Sequence, residues 1–111
     1  MNQPETDGVG IIIKSIDKPG TLVSSSDSRQ FHSGYVVLES GKEIGEHETE
    51  GGEELIVVLE GTAEVSYGGR AESVCAPAVV LVPARTTHNV KNMSDGSLRY
   101  VYAYNMAMDE S

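Results

Sequence analysis

Short runs of apolar and β-branched residues alternate with turn-forming dipeptides along the whole chain. The runs cover residues 9–16, 34–39, 55–59, 62–67, 79–82 and 98–104. The turn signals are Pro19-Gly20, Ser40-Gly41, Gly51-Gly52, Gly68-Gly69, Ala76-Pro77 and Asp95-Gly96. Short strands at this regular spacing are typical of an antiparallel sandwich or barrel. Because no window repeats apolar residues at helical spacing between caps, the pattern predicts an all-β chain.

Two of the runs, residues 55–59 and 79–82, are apolar at consecutive positions. A strand buried on one face should alternate apolar and polar residues, so we expect these two strands to be covered on both faces. In a chain this small, the second cover is most simply another copy of the chain. The apolar segment 9–13 is the candidate for a packed or exchanged strand. We therefore expect a homodimer.

Composition agrees with this fold class and limits the partners. A chain of 111 residues is one domain, residues 1–111, and its 13 Val and 6 Ile outnumber its 6 Leu. Branched side chains fit a pleated surface and crowd a helix, which favours strands. The net charge is -9, and phosphates of nucleic acids or acidic membranes repel such a chain. We expect neither as a partner, and solubility is the simplest role of the charge.

The single cysteine and the chain ends give a prediction about location. Cys75 has no partner for an intrachain disulfide, and its apolar neighbours predict a small buried side chain. The first residues are polar, and no apolar stretch reaches the length of a membrane span. We therefore expect a cytoplasmic protein, with flexible ends at residues 1–8 and 106–111.

Candidate chemistry is concentrated around a Gly-Gly turn. Residues two apart on a strand share a face, so His47 and Thr49 point the same way. The turn Gly51-Gly52 then lets Glu54 face His47 across the ladder. His88 follows a turn-like segment and reaches the same point if the barrel closes. Two imidazoles and one carboxylate form a facial set for a divalent metal, with about three positions left for other ligands.

Such a set suits Fe, Mn, Ni, Co or Zn, whereas Ca²⁺ takes more oxygen ligands. Spacing alone leaves a second interpretation open, in which His47 is a solvated histidine at a strand end. The neighbouring glutamates are then a charged surface. They are Glu46, Glu48, Glu50 and Glu53, all of which lie off the face shared by His47, Thr49 and Glu54.

The segments 41–61 and 83–92 resemble the two sequence motifs of the cupin superfamily. The chain resembles the small single-domain members of that superfamily, which have a conserved barrel. The matching residues are Gly41, His47, Glu54 and Gly61 in the first motif, and Pro83, His88 and Asn92 in the second. The motifs and the segment that joins them cover nearly half of the chain. The resemblance implies a double-stranded β-helix, or jelly-roll-like barrel, that binds a metal in its mouth. It also implies that His47, Glu54 and His88 are three of the family's four usual ligands.

The chain departs from the family pattern at two positions. Thr49 stands where the family has its second histidine, and a neutral hydroxyl is a poor metal ligand. We expect three protein ligands, with Thr49 bonded to a metal-bound water, and an empty site is the alternative. Arg85 replaces the glycine of the second motif. It holds an anionic substrate if it leans toward the mouth, and is otherwise an exposed structural residue.

Tyrosines are the other candidates for the pocket. Tyr100, Tyr102 and Tyr104 share a face with Leu98, and Tyr35 lies on the strand before Gly41. A buried tyrosine usually finds a partner for its hydroxyl. Filling the core or a dimer contact is the simpler role for these rings, and lining a substrate pocket is the alternative. His32 belongs to neither motif, so we expect a structural or exposed residue there.

These residues lead to one functional hypothesis and one alternative. The first is a small metal-dependent cupin that binds a small polar organic molecule over a divalent ion. By resemblance, oxygenation, isomerisation and a lyase step are the reactions to consider, and nothing in the sequence selects one. The alternative is a non-catalytic binding or regulatory module whose pocket holds a ligand without metal, which Thr49 favours.

Overall fold

Two antiparallel sheets form the part of the chain that the computed structural model describes, residues 10–105. The strands are β1 Gly20–Val23, β2 Phe31–Leu38, β3 His47–Glu48, β4 Glu54–Glu60, β5 Thr62–Tyr67, β6 Arg70–Cys75, β7 Ala78–Val82, β8 Thr87–Asn92 and β9 Leu98–Asn105. Residues 10–105 contain no helix, and therefore none that is long and apolar enough to cross a membrane. The all-β prediction is confirmed. The ends expected to be flexible, 1–8 and 106–111, lie outside the described residues.

The sheets face each other across one apolar core. The larger sheet has the order β1-β2-β9-β4-β7, and the smaller has the order β3-β8-β5-β6. Alternate residues of β4, such as Ile56 and Val58, meet Ala63 and Val90 from the smaller sheet. Strands that alternate in this way place every second side chain between the sheets, which builds the barrel predicted from the turn spacing.

The register of the strands brings the two sequence motifs to one end of the barrel. In the smaller sheet, His47 of β3 lies directly opposite His88 of β8. In the larger sheet, Glu54 at the start of β4 lies between Val82 of β7 and Tyr104 of β9. The start of β4, the end of β9 and the start of β8 therefore surround one opening, which we call the mouth.

The apolar segment near the N-terminus is not a strand. Residues 10–16 pair with no other strand, and Ile11 is 91% exposed. The predicted strand over residues 9–16 is therefore wrong for the residues described. An apolar pattern alone does not show whether the chain supplies a partner strand. Cys75, expected to be buried, is also exposed, because β6 is the edge of the smaller sheet.

The outer faces of β4 and β7 are apolar and uncovered in the single chain. Leu55 pairs with Leu81, and Val57 pairs with Val79, so these side chains form one patch. Val79 and Leu81 are 63% and 59% exposed. We call residues Leu55, Val57, Leu59, Val79 and Leu81 the outer patch. The runs 55–59 and 79–82 thus have one face in the core and one face toward solvent.

Three strands lacked a sequence signal. β1 is short, and β6 is a polar edge strand whose side chains are mostly exposed. β8 carries His88, Val90 and Asn92 into the interior, so its inward face is only partly apolar. Hydrophobic alternation detects strands that bury apolar residues. It does not detect a strand whose buried residues are polar.

Candidate metal centre

Three strands, β3 and β8 of the smaller sheet and β4 of the larger, position the residues expected to hold a metal. His47 and His88 are opposite neighbours on the β3–β8 ladder, so their side chains lie on the same face of the smaller sheet. Their rings are 4.2 Å apart between centroids. Glu54 begins β4 in the facing sheet and projects toward both rings. The prediction that Glu54 faces His47 across one ladder is therefore wrong, because the chain crosses from one sheet to the other after the Gly51-Gly52 turn. One atom from each of the three residues can be chosen so that all lie within 4.8 Å of one another.

The donor atoms are spaced as ligands of a single ion. Oε1 of Glu54 lies 2.8 Å from Nε2 of His88 and 3.6 Å from Nε2 of His47. Neighbouring ligands that are each about 2.1 Å from an ion at right angles stand about 3 Å apart. The observed spacings are close to this value, so the geometry of the three donors fits a divalent ion.

Both imidazoles are oriented through the ring nitrogen that faces away from Glu54. Nδ1 of His47 lies 3.1 Å from the carbonyl oxygen of Gly45, and Nδ1 of His88 lies 3.0 Å from that of Thr86. A carbonyl oxygen can only accept, so each Nδ1 carries the proton and donates it. This leaves Nε2 of each ring as the nitrogen that can bind a metal, which is how protein metal sites fix the tautomer of histidine ligands.

Without an ion, His88 and Glu54 form a buried pair. The hydrogen bond to Glu54 is the main effect that raises the pKa of His88, and burial opposes it. Both side chains are nearly inaccessible to water. A protonated His88 donates from both ring nitrogens, to Glu54 and to Thr86, so the pair is satisfied in the metal-free state. A metal must therefore displace a proton from His88.

Thr49 has a structural role that the sequence did not indicate. Its hydroxyl donates to the carbonyl oxygen of Pro83 at 2.7 Å and accepts from the backbone N–H of Thr86 at 3.1 Å. These bonds join the segment after β3 to the loop before β8. Since the only hydroxyl proton is used, Thr49 can meet a water at the metal only by accepting. The predicted bond from Thr49 to such a water is therefore limited to one remaining lone pair.

Arg85 lies outside the mouth, contrary to its placement among the pocket residues. It is exposed, and its backbone N–H donates to the carbonyl oxygen of Glu50. Both residues have positive φ, 54° for Arg85 and 58° for Glu50. A left-handed conformation explains why the family motif has glycine at the position of Arg85. The backbone of Arg85 therefore forms part of the turn, and its side chain is not among those that line the cavity.

A cavity of about 620 Å³ opens over His47 and Glu54, within the size range of small-molecule sites. Tyr100, Tyr102 and Tyr104 line one wall, so the structure brings these three candidates together at the metal centre. Tyr35 does not line it. Its side chain points to the outer face of β2, where its hydroxyl accepts a hydrogen bond from Arg99 at 3.0 Å.

The tyrosines belong to a row of stacked rings. Tyr102 and Tyr104 are nearly parallel, with centroids 6.1 Å apart and planes at 9°. His32, opposite Tyr104 on β2, extends the row with a centroid distance of 5.2 Å. Tyr102 lies over Gly34, its partner across the ladder, where a Cβ atom would be 2.5 Å from the phenol oxygen. The missing side chain of Gly34 makes room for this ring.

Environment keeps two of the phenols neutral. Burial is the main cause that raises the pKa of Tyr100, and the negative charge of Glu54 adds to it. Burial also raises the pKa of Tyr102, with smaller effects from Tyr104 and Glu54. Neutral phenols retain the O–H proton, so both groups can donate hydrogen bonds into the cavity.

Sequence reasoning missed several residues of the cavity. Glu46, Glu48 and Glu50 line its rim while remaining exposed, although they were expected to be only a charged surface. Val36 and Asn105 also line it. The sequence offered one signal for Val36, the glycine within β2. His32, Gly34 and Val36 share one face of that strand, and a glycine inside a strand indicates that another group approaches closely on its face.

Comparison with known proteins agrees with the resemblance of the motifs. The sequence profile of the family described as "Cupin domain" matches residues 34–104, which is more than half of the chain. Among functionally curated proteins, none matches this sequence significantly.

Solved structures share the fold at low sequence identity. The cupin domain of Cnp3 from Schizosaccharomyces pombe is 19% identical, with a TM-score of 0.71 over 79% of this chain and 59% of that one. A predicted oxalate decarboxylase from Thermotoga maritima is 16% identical, with a TM-score of 0.75 over 86% and 99% of the two chains. A cupin 2 conserved barrel domain protein from Salinispora arenicola is 20% identical, with a TM-score of 0.69 over 88% and 89%.

At these identities the likeness concerns the fold alone. This chain also spans less than two thirds of the S. pombe domain. The chemistry of the present protein therefore has to be argued from its own site.

Proposed function

This chain belongs to the cupin family, and we propose that it binds a divalent metal through His47, Glu54 and His88 and holds a small polar molecule beside it. One observation carries the proposal. The three donor atoms converge within 4.8 Å, and the remaining nitrogen of each imidazole is bonded to a backbone carbonyl oxygen. Two imidazoles and a carboxylate suit Fe, Mn, Ni, Co or Zn.

The residues around the site have defined tasks in this proposal. A bound divalent ion would supply Lewis acidity or a position for oxygen. Gly45 and Thr86 hold the two imidazoles in the orientation that metal binding requires. Tyr100 and Tyr102 keep their protons and donate to polar groups of the bound molecule. The apolar wall behind Glu54, formed by β4, excludes water from that side of the site.

The predicted molecule is small, because the cavity is about 620 Å³. Oxygenation, isomerisation and a lyase step are the reactions that the resemblance to cupins raised, and we propose none of them over the others. The cytoplasmic location predicted from the single cysteine stays a prediction.

Elemental analysis of protein purified without added metal tests the proposal. We expect close to one ion per chain in the parent, and almost none in His47→Ala and His88→Ala. Glu54→Gln should weaken metal binding and leave the barrel folded, because it removes a charge but little volume. His32→Ala is the matched control, since His32 is the third histidine and lies outside the ligand set. Full metal occupancy in the His47, Glu54 and His88 variants would refute the proposed ligands.

A metal-free binding module is the second candidate, and one observation favours it. The 2.8 Å bond between His88 and Glu54 satisfies both buried groups without an ion. Thr49 also supplies no third imidazole. In this case the parent would purify without metal, added metal would not raise its melting temperature, and small ligands would.

We also propose that the protein forms a homodimer through the outer patch. Leu55, Val79 and Leu81 are exposed on neighbouring strands, and β7 is the edge of its sheet. Exposed apolar faces of this kind mark interaction sites. The exposed isoleucines of segment 10–16 are the second apolar surface available to a partner chain.

Sedimentation velocity tests the dimer. We expect twice the mass of the chain for the parent and a monomer for Leu81→Lys, because a charge in the outer patch would be desolvated on association. Ser73→Lys is the control, since Ser73 is an exposed residue on β6, the edge of the other sheet. A monomeric parent at high concentration would refute the dimer.

A further inference from the structure

One wall of the cavity carries a buried polar group that the described part of the chain does not satisfy. Tyr100 is 3% exposed and lines the cavity. Its hydroxyl has no hydrogen-bond partner among residues 10–105, and neither do those of Tyr102 and Tyr104. Buried hydroxyl groups in proteins are nearly always paired. The buried phenol of Tyr100 therefore indicates a bound molecule with a polar atom at this wall, whereas Tyr102 and Tyr104 are partly exposed and can bond water.

The outer part of the same wall is an aromatic surface with a fixed orientation. Tyr102 and Tyr104 stack on each other, and His32 supports Tyr104 from the neighbouring strand. Gly34 lets Tyr102 lie against the sheet. The faces of tyrosine rings carry negative partial charge, and they attract organic cations within about 6 Å.

The charged residues of the cavity have one sign. Glu46, Glu48, Glu50 and Glu54 line it, and no lysine or arginine of residues 10–105 does. Arg85 turns the loop outside the mouth, and Arg99 pairs with Glu60 on the outer face. The rim therefore attracts a positive charge and repels an anion, apart from any group that binds the ion itself.

From these observations we propose that the cavity selects a small organic cation. Its positive group lies on the faces of Tyr102 and Tyr104 near the rim glutamates, and its polar end reaches the hydroxyl of Tyr100. This inference rests on the proposed function, since it places the molecule in the cavity beside the metal ligands. It adds the charge of that molecule, which the metal centre alone does not determine.

Three probes of similar shape and different charge test the inference. They are choline, its neutral carbon isostere dimethylbutanol, and the matching carboxylate dimethylbutanoate. Calorimetric titration would be carried out on the full chain, once as purified with its metal content measured and once after chelation. We expect choline to bind about tenfold more tightly than dimethylbutanol in both forms, and the difference to shrink at high salt.

Variants separate the aromatic surface from general charge. Tyr104→Leu should reduce the preference for choline over dimethylbutanol to about twofold, because it removes one ring face. Glu48→Gln should weaken choline binding and leave dimethylbutanol unchanged. Glu39→Gln is the charge-matched control, since Glu39 is exposed and lies outside the cavity. It should leave the binding of both probes unchanged.

The result also distinguishes this inference from the proposed function. If metal is present and choline binds no better than dimethylbutanol, or no probe binds, the inference is wrong and the metal centre stands. Tighter binding of dimethylbutanoate than of choline in the chelated form, where no ion can bind the carboxylate, would overturn it as well. If no metal binds but choline is preferred, the metal proposal fails and the selectivity of the cavity stands.

Discussion

Two residues of the second motif, His88 and Asn92, lie four positions apart on the inward face of β8. Each is 1% exposed, so burial does not distinguish them. They differ in their partners. His88 shares one proton with the carboxylate of Glu54 at the mouth. Asn92, at the closed end of the barrel, makes four bonds with neutral groups of the chain.

The bonds of Asn92 use the full capacity of its amide. Nδ2 donates to the carbonyl oxygens of Leu38 and Gly96, at 2.9 and 2.8 Å, and Oδ1 accepts from the backbone N–H and the hydroxyl of Ser94. An amide has two donor hydrogens and two acceptor lone pairs, so nothing remains for a ligand. Asn92 therefore joins three segments of the chain. His88, in contrast, is one of three residues whose donor atoms are close enough to bind one ion. Both side chains are fully bonded, so the identity of the partner separates the two roles, a carboxylate for His88 and neutral groups for Asn92.

The largest expected effect is on folding at the closed end. Asn92→Ala should lower the free energy of unfolding by about 3 kcal/mol, because it removes a buried amide that bonds the carbonyl oxygens of Leu38 and Gly96 and the N–H of Ser94. Urea denaturation measures this change. Asn89→Ala, on the outward face of the same strand, is the matched control and should cost about 1 kcal/mol or less. Metal binding by the folded Asn92→Ala protein should remain, and its loss would break the division of roles.

The next effect is on metal affinity at the mouth. His88→Gln should weaken metal binding by about 100-fold or more, because it removes one of three protein ligands. The glutamine amide can still donate to Glu54, so the stability of the metal-free protein should change by about 1 kcal/mol at most. Metal titration followed by calorimetry gives the first quantity, and urea denaturation gives the second. An unchanged metal affinity would show that His88 is a structural residue like Asn92.

A change of pH should alter the protonation of His88 but not of Asn92, because an amide does not titrate. Because the folded pKa of His88 is raised, the metal-free chain gains stability from it at pH values below the unfolded histidine pKa, about 6.5. This gain is lost as the pH rises through the folded pKa. Metal binding should change in the opposite direction, by up to about tenfold per pH unit while His88 is protonated.

Denaturation of the chelated parent and of His88→Gln across this pH range isolates the effect. The difference in unfolding free energy between the two proteins should decline as the pH rises. A difference that is constant with pH would contradict the protonated pair with Glu54.

The smallest expected effect is at Thr49, which lies beside the metal centre but is bonded to backbone groups. Thr49→Val should cost about 1 kcal/mol of stability, because Pro83 and Thr86 each lose a hydrogen-bond partner. Metal affinity should change by less than about threefold. A much larger loss of metal binding would show that Thr49 acts through a water at the ion, as the sequence suggested. Thr49→Ser should retain both properties.

Part of the cluster of His47, Glu54 and His88 could be predicted from strand geometry. His47 and His88 stand on paired strands, so the alternation of side chains places both on one face. Glu54 lies in the other sheet, and the resemblance to the cupin motifs, not spacing alone, added it to the set. The roles of Thr49 and Arg85 could not be obtained in this way. The bonds of Thr49 are to loop carbonyl and N–H groups, and the orientation of Arg85 depends on a positive φ that one sequence does not reveal.

The alternation of side chains along a strand also explains why Tyr35 was wrongly placed among the pocket candidates. Its neighbour Val36 lines the cavity, and a shift of one residue exchanges the two faces of a strand. The alternating pattern of β2 is weak, because Gly34 lacks a side chain and Tyr35 is aromatic. Gly34 was the one local indication of the inward face. The strand predicted near the N-terminus was wrong for a different reason. Apolar composition alone does not show whether a partner strand is available.

A substitution at Gly34 would change the size of the pocket through Tyr102, without replacing a residue that lines the pocket. The φ of Gly34 lies in the ordinary range, so alanine is acceptable to the backbone, but the added methyl group would overlap the tip of Tyr102. The ring of Tyr102 would have to move away from Gly34, and because this ring lines the cavity, the movement would change the space available to a ligand. One carbon atom added on the inward face of β2 would thus alter which molecules the barrel admits.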